Sequence, residues 1–229
     1  MSEMREVLDF LRLLRCNNDR EWFAANKRMY LRAQSVMTDF AAALIDGIGE
    51  FDPLVRGLSV RDCTYRIYRD TRFSADKTPY KTWMGVYVAP HGKKSGYAGY
   101  YFHAEPSGGA YLGGSMLSAG LYMPEPVVLR SIREEIVDNG RGILDAVASA
   151  TGFALSKKNS LKRNPKDFPS VGELDELLRL RDVYIEKPLS EREVLSDGLL
   201  ARMLDGFRSA YDFISILNRA VQYAHEEMM

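Results

Sequence analysis

The sequence between positions 66 and 82, RIYRDTRFSADKTPYKT, concentrates side chains that could bind an anion. Arginine presents a planar fork of donors that suits carboxylate and phosphate groups, whereas lysine acts as a compact point charge. A proline within the segment should stiffen it as a turn. We expect this segment to hold the phosphate or carboxylate group of a small ligand. The predicted anion-binding residues are Arg66, Arg69, Arg72, Lys77, Lys81 and Tyr80.

The same segment has an alternative explanation that needs no ligand. Asp70 and Asp76 lie within it, and Glu21 or Glu105 could approach it from elsewhere in the chain. Ion networks of this kind perturb charges without any role in binding. The sequence alone does not decide between an internal ion network and an anion-binding site.

A second group of candidate residues alternates along one predicted strand. In YAGYYFHAE, Tyr101, His103 and Glu105 are two positions apart, so their side chains should share one face of the strand. Histidine is the usual acid–base group near neutral pH, and these three are therefore the predicted catalytic residues, acting in proton transfer. The alternative is a histidine that is simply hydrogen-bonded within the sheet.

The other residues that could do chemistry predict neither a metal site nor a cofactor. The chain has three histidines, His91, His103 and His225, and none belongs to an HxH or HExxH pattern. The sequence also lacks a P-loop, a dinucleotide fingerprint and a GxSxG nucleophile motif.

Two helices are predicted before these segments. Apolar residues recur at helical spacing from Glu3 to about Leu14, and a polar turn follows. Asn18 and Glu21 form a capping-box pattern, which predicts that a longer helix begins there and continues to Leu44 or Ile48.

Alternation with a period of two predicts strands in the middle of the chain. The predicted strands are CTYRIYR, WMGVYVAP, YAGYYFHAE and AYLGG. Short connections join them, and parallel strands would need long crossovers, so the pairing should be antiparallel. The expected structure is an antiparallel β-meander of four or five strands over about 63–123.

Helical spacing returns in the last part of the chain. Pro126 suits the first turn of a helix, and an Asn139–Gly140 break precedes a second helical stretch. KKNSLKRNPKDFPS is predicted to be a loop, and VYIEKPL is a candidate for one further strand. A cap at Ser190 and Glu193 predicts the start of the closing helical part.

These elements predict an α+β fold in a single domain, residues 1–229. The N-terminal helical pair would occupy 1–50 and the sheet 60–123. The mostly helical part would occupy 124–229, with its helices packed on the sheet.

Composition limits the function classes. Hydrophobic residues make up 46% and charged residues 27%, and the formal net charge is zero, so a globally basic nucleic-acid binder is disfavoured. The two cysteines show no disulfide or metal spacing, and no apolar run reaches the roughly 20 residues of a membrane span. We expect a cytoplasmic protein with no membrane partner.

Several motifs also carry a resemblance to a known family. They are NNDREWF, RIYRDTRFSADKTPYKTWMGVYVAP, GYYFHAEP, the GG pair before MPEP, and LSEREVLS. The sequence resembles the uncharacterised family catalogued as domain of unknown function 2461, along nearly the whole chain. The resemblance implies one family-wide domain and implies no catalytic assignment.

The leading functional hypothesis is a polar pocket that binds a small anionic ligand, with Tyr101, His103 and Glu105 available for acid–base chemistry. A second hypothesis is a nucleic-acid-associated protein that uses the same surface with Lys93, Lys94 and the KKNSLKR loop. A third is a structural or partner-binding protein in which the charged cluster is an internal ion network. Oligomeric state is not predicted.

Overall fold

The computed structural model describes residues 3–228, and its N-terminal part is helical as predicted. Helix α1 spans Met4–Cys16 and buries Val7, Leu8, Leu11 and Leu14 at helical spacing. Helix α2 spans Arg20–Ala25, α3 spans Lys27–Gly49 and the short α4 spans Val60–Cys63. A single 3-10 turn, Pro53–Val55, lies between α3 and α4.

The capping prediction at Asn18 is wrong. Asp19 is the N-cap of α2, and its carboxylate accepts a hydrogen bond from the Trp22 amide at 2.8 Å. The predicted long helix is also interrupted at Asn26, which has non-helical angles of φ −106° and ψ 18°. The Asn26 side chain donates to the Trp22 carbonyl at 2.9 Å, because a short polar side chain competes for the local backbone.

The sheet has five strands and is antiparallel throughout. Its strands are β1 Met84–Val88, β2 Gly99–Ala104, β3 Met116–Leu121, β4 Ala154–Leu155 and β5 Val183–Pro188. The order across the sheet is β1-β2-β3-β5-β4. The antiparallel pairing and the further strand at VYIEKPL are confirmed, but the meander itself has three strands, β1, β2 and β3, instead of the four or five expected.

Two predicted strands are not strands of this sheet. CTYRIYR contributes only single bridges, Thr64 with Val86 and Tyr68 with Tyr80. Its backbone bonds instead to the far end of its own segment, where Arg69 N donates to Pro79 O at 2.9 Å. AYLGG is a loop that joins β2 to β3, because Gly108 and Gly113 turn the backbone with positive φ values.

Helices follow the meander and close the chain. Helix α5 spans Pro126–Ser149 with a kink at Asn139, where the sequence predicted a break. The later helices are α6 Asp175–Leu178, α7 Glu191–Val194, α8 Leu199–Ser209 and α9 Tyr211–Glu227, with a 3-10 turn at Gly172–Leu174. The capping box at Ser190 is confirmed, and the closing helical part divides at Ala210.

The two faces of the sheet have different coverings. One face packs on the helices: the Phe102 ring lies 5.4 Å from Phe40 of α3, and Tyr100 lies 5.4 Å from Phe207 of α8. This arrangement is the α+β fold that the sequence predicts. The opposite face carries Tyr101 and His103, and the aromatic rings against that face come from loops. No helix in residues 3–228 is both long enough and apolar enough to cross a membrane.

Candidate functional site

Tyr101, His103 and Glu105 form a hydrogen-bonded chain along β2. The Tyr101 hydroxyl lies 2.8 Å from His103 Nδ1, and His103 Nε2 lies 3.2 Å from Glu105 Oε2. Because an ionised carboxylate can only accept, Nε2 carries the proton, and Nδ1 accepts from the tyrosine hydroxyl. His103 and Glu105 are 0% and 1% exposed, whereas Tyr101 is partly exposed. Tyr101 is therefore the member of the chain with the most solvent-accessible surface.

Glu105 also anchors the loop between β2 and β3. Its carboxylate accepts hydrogen bonds from the backbone amides of Tyr111 at 2.9 Å and Leu112 at 2.8 Å. Burial acts to raise the pKa of Glu105, but the hydrogen bonds from His103 and the two amides outweigh it and hold that pKa below its usual value. Glu105 thus remains ionised and fixes both His103 and the loop.

Two glycines make room for this chain. A Cβ atom on Gly109 would lie 2.2 Å from the carboxyl carbon of Glu105, so the loop can approach the carboxylate only without a side chain there. A Cβ atom on Gly85 of β1 would lie 2.8 Å from the Tyr101 hydroxyl. The Tyr101 ring consequently lies over Gly85 on the neighbouring strand.

An aromatic group covers His103 from the loop side. The Trp83 ring lies 5.1 Å from the His103 ring and stacks on Tyr111 at 5.1 Å with an interplanar angle of 20°. Tyr65 packs edge-on against Trp83 at 6.1 Å. Tyr111 and Tyr65 are 56% and 39% exposed, so this aromatic group has an open surface.

Lys81 lies over the same aromatic group. Its ammonium nitrogen is 5.0 Å from the centre of the Trp83 ring and 5.5 Å from that of Tyr65, and it donates to the Arg66 carbonyl at 2.9 Å. Burial, and then the nearby charge of Arg66, lower the pKa of Lys81. Of the five predicted cations, the structure therefore places Lys81 next to the histidine site, and the charge of Arg66 acts on Lys81.

Arg69 is occupied within its own segment. Its guanidinium donates to Asp76 at 2.5 Å, to the Thr78 carbonyl at 3.1 Å and to the Thr78 hydroxyl. The Thr78 amide, and then Arg69, lower the pKa of Asp76 to about 2. Arg69 thus organises the turn that joins the two ends of the segment.

Arg72 and Lys77 lie near the exposed tip of the segment. Arg72 pairs with Asp70 at 2.6 Å, and Lys77 donates to the Thr71 carbonyl at 2.9 Å. Within residues 3–228, Arg69 and Arg72 thus form their ion pairs with two aspartates of the same segment, Asp76 and Asp70. Glu105 pairs with His103 instead.

Tyr80 lies in the core rather than among the cations. It is 5% exposed, and its ring stacks on Phe23 with centres 4.0 Å apart and an interplanar angle of 13°. The Asn18 side chain donates to the Tyr80 carbonyl at 2.9 Å and accepts from the Tyr80 amide at 3.1 Å. The NNDREWF motif therefore docks on the TPY end of the segment, and this placement gives Tyr80 a structural role.

Three lysines of the alternative basic surface have partners. Lys157 pairs with Glu176 at 2.5 Å and Lys158 with Glu186 at 2.8 Å, and Lys93 donates to the Arg61 carbonyl at 2.5 Å. Nucleic-acid association through these residues stays a prediction. Across residues 3–228, no group of three or more histidine, cysteine or acidic side chains is arranged to hold a metal ion.

The aromatic residues of the site were not among the predicted ligands. Trp83 follows the charged segment directly, and Tyr65 precedes it, so both positions were visible in the sequence. Tyr111 lies in a loop whose sequence has no periodicity. The hydrogen bond from its backbone amide to Glu105 holds it over His103.

Comparison with known proteins gives a family and no function. Searches of curated proteins and of solved structures found no match. Residues 6–215 match the family described as "Conserved hypothetical protein (DUF2461)". This match covers most of the chain, and the protein belongs to the DUF2461 family.

Proposed function

We propose that the open aromatic surface beside His103 binds a small anionic ligand through Lys81 and Arg66 and exchanges a proton with it through Tyr101. The carrying observation is the chain from Glu105 through His103 to Tyr101, which has two buried members and one partly exposed end. Burying a carboxylate–histidine pair costs desolvation energy. A role in orienting a proton-transfer group would explain why the protein contains such a pair.

The orientation of the chain favours proton uptake from the ligand. Burial first, with neighbouring hydroxyl and carboxylate groups, raises the pKa of Tyr101, so its resting form is the neutral phenol. As the tyrosine oxygen takes a proton from the ligand, its own proton passes to His103 Nδ1. The resulting imidazolium is stabilised by the Glu105 carboxylate, and one proton has moved from ligand to histidine.

Lys81 supports binding of an anion at the same place. In residues 3–228 its ammonium group has a carbonyl partner and two rings but no carboxylate partner. Partial burial also strengthens its attraction to an incoming charge, since the local dielectric constant is lower than that of water. Arg66 is an exposed residue, and its charge acts on Lys81.

A binding experiment tests the anion site. Thermal unfolding of the wild type is followed with inorganic phosphate, sugar phosphates, nucleotides and dicarboxylates, and a binding anion should raise the Tm. Lys81→Met keeps the stem over the rings and should abolish the shift. Lys77→Met is the matched control, because Lys77 lies at the exposed tip, and it should keep the shift. Equal loss in both variants, or no shift with any anion, would show that the proposal is wrong.

A second experiment tests the proton-transfer step. Any anion that binds is incubated with the protein, and its chemical change is followed by NMR. Tyr101→Phe retains the ring over Gly85 and removes the hydroxyl, so it should bind the anion and fail to convert it. Conversion at the wild-type rate by Tyr101→Phe would exclude Tyr101 from the reaction.

A further inference from the structure

We infer that the ligand of this site is a nucleotide unit, a phosphate joined to a planar heterocycle that stacks on the aromatic surface. This inference rests on the proposed function, since it names the ligand class of the same anion site. The inference depends on two features together. Lys81 has no carboxylate partner in residues 3–228, and it lies next to exposed aromatic rings.

The rings are held in place before any ligand arrives. Tyr111 is stacked on Trp83, and its backbone amide is bonded to the buried Glu105 carboxylate. Tyr65 is fixed against Trp83 and under the Lys81 ammonium group. Preorganised rings lose little conformational freedom when a flat group stacks on them, so such a surface suits a heterocycle.

The cavity next to the rings is too small to enclose such a ligand. The cavity between α3 and residues 64–67, which Tyr65 and Gly85 border, has a volume of about 50 Å³. That volume suits a few water molecules and is far below the several hundred Å³ typical of a cleft that encloses a metabolite. We therefore place the heterocycle outside this cavity, on the open rings, with the phosphate at Lys81 and Arg66.

The test compares the same phosphate with and without a ring. Dissociation constants are measured by calorimetry for AMP, GMP, UMP and FMN, and for ribose 5-phosphate, inorganic phosphate and adenosine. At least one nucleotide should bind about tenfold more tightly than ribose 5-phosphate, as expected for one stacked base. It should also bind more tightly than adenosine does.

Variants locate the ring. Tyr111→Leu should weaken the nucleotide about tenfold and leave binding of ribose 5-phosphate unchanged. Tyr223→Leu, at a tyrosine of α9 that is 54% exposed, is the matched control and should change neither.

The outcomes separate this inference from the proposed function. If ribose 5-phosphate or inorganic phosphate binds as tightly as every nucleotide, the ring contributes nothing and only the inference fails. If no anion of any kind binds, the proposed function fails and the inference with it. Binding of adenosine as tight as that of AMP would contradict both, because the phosphate would then be irrelevant.

Discussion

The segment 66–82 and the sheet face around His103 both concentrate charge, but they satisfy it differently. In the segment, Arg69 and Arg72 pair with aspartates seven and two residues away, and the Arg72 side chain is 77% exposed. On the sheet face, the Glu105 carboxylate is fully buried and accepts hydrogen bonds from His103 and from two backbone amides of the loop between β2 and β3.

This difference separates a cluster that shapes a turn from one that can support chemistry. Exposed ion pairs between near neighbours contribute little to stability because water and salt screen them. A buried carboxylate with three donors is strongly coupled to the fold, and its removal leaves several groups unsatisfied. Within the stretch that carries the richer sequence signal, Arg69 and Arg72 are therefore less important for the fold than Glu105 is.

The largest expected effect is at Glu105. Glu105→Gln replaces one acceptor oxygen by an amide donor, which would face a donor of His103, Tyr111 or Leu112. We expect the free energy of unfolding to fall by about 3 kcal/mol, measured by urea denaturation. Glu173→Gln is the control: Glu173 pairs with Arg141 at 3.0 Å on the surface, and its loss should cost less than about 1 kcal/mol. Similar losses in both variants would contradict the comparison.

A smaller effect is expected from the glycine beneath the same carboxylate. Gly109→Ala places a methyl group where Glu105 already lies, so the loop must shift, and we expect a loss of about 2 kcal/mol in denaturant unfolding. Gly114→Ala is the matched control in the same loop, because a Cβ atom there meets nothing within 4 Å. If the two alanine variants are equally stable, the loop does not rest on Glu105 in solution.

The first region supplies the next comparison. Arg69→Ala removes the bonds to Asp76 and Thr78, and the partly buried guanidinium should make this cost about 1 kcal/mol. Arg72→Ala removes an exposed pair and should change the free energy of unfolding by less than about 0.5 kcal/mol. Limited proteolysis of residues 70–78 should accelerate in the first variant alone. Acceleration in both would show that the tip depends on Arg72 as well.

The sequence predicts the sheet face well because period-two alternation determines which side chains share a face. Tyr101, His103 and Glu105 lie together for that reason. The same rule fails for CTYRIYR, where the alternation is present but the partner is residues 79–81 of the segment itself. Alternation predicts which side chains share a face of a strand, but it does not predict which strand will be the hydrogen-bonding partner.

Long-range contacts explain the other differences. Asn18 fits a helix cap by its local pattern, yet it bonds to the backbone of Tyr80, 62 residues away. Tyr111 reaches His103 only because Glu105 holds its loop. Arg69 and Arg72 were open to either explanation, since composition alone does not tell whether a nearby aspartate or an external anion is the partner.

The smallest expected effect on stability comes from protonation of Asp76. It compares the exposed segment with the buried site of Glu105. Its pKa is lowered to about 2, so its contribution to stability is present above the unfolded value of about 3.9 and is lost as the pH falls through the folded value. Because the carboxylate is exposed, this loss should be local and should hardly change global stability. Glu105, whose pKa is also lowered, should by contrast weaken the whole fold as acid protonates it.

The measurement is the carboxyl carbon resonance of Asp76 followed by NMR, with an expected midpoint of about 2 in the wild type. Arg69→Ala should move the midpoint part of the way towards the ordinary value, because the bond from the Thr78 amide remains. Arg72→Ala should leave it unchanged, since Arg72 bonds to Asp70. A wild-type midpoint near 3.9 would mean that the turn around Arg69 does not persist in solution. The segment would then leave Arg69 free for an external anion, and the distinction between the two regions would no longer hold.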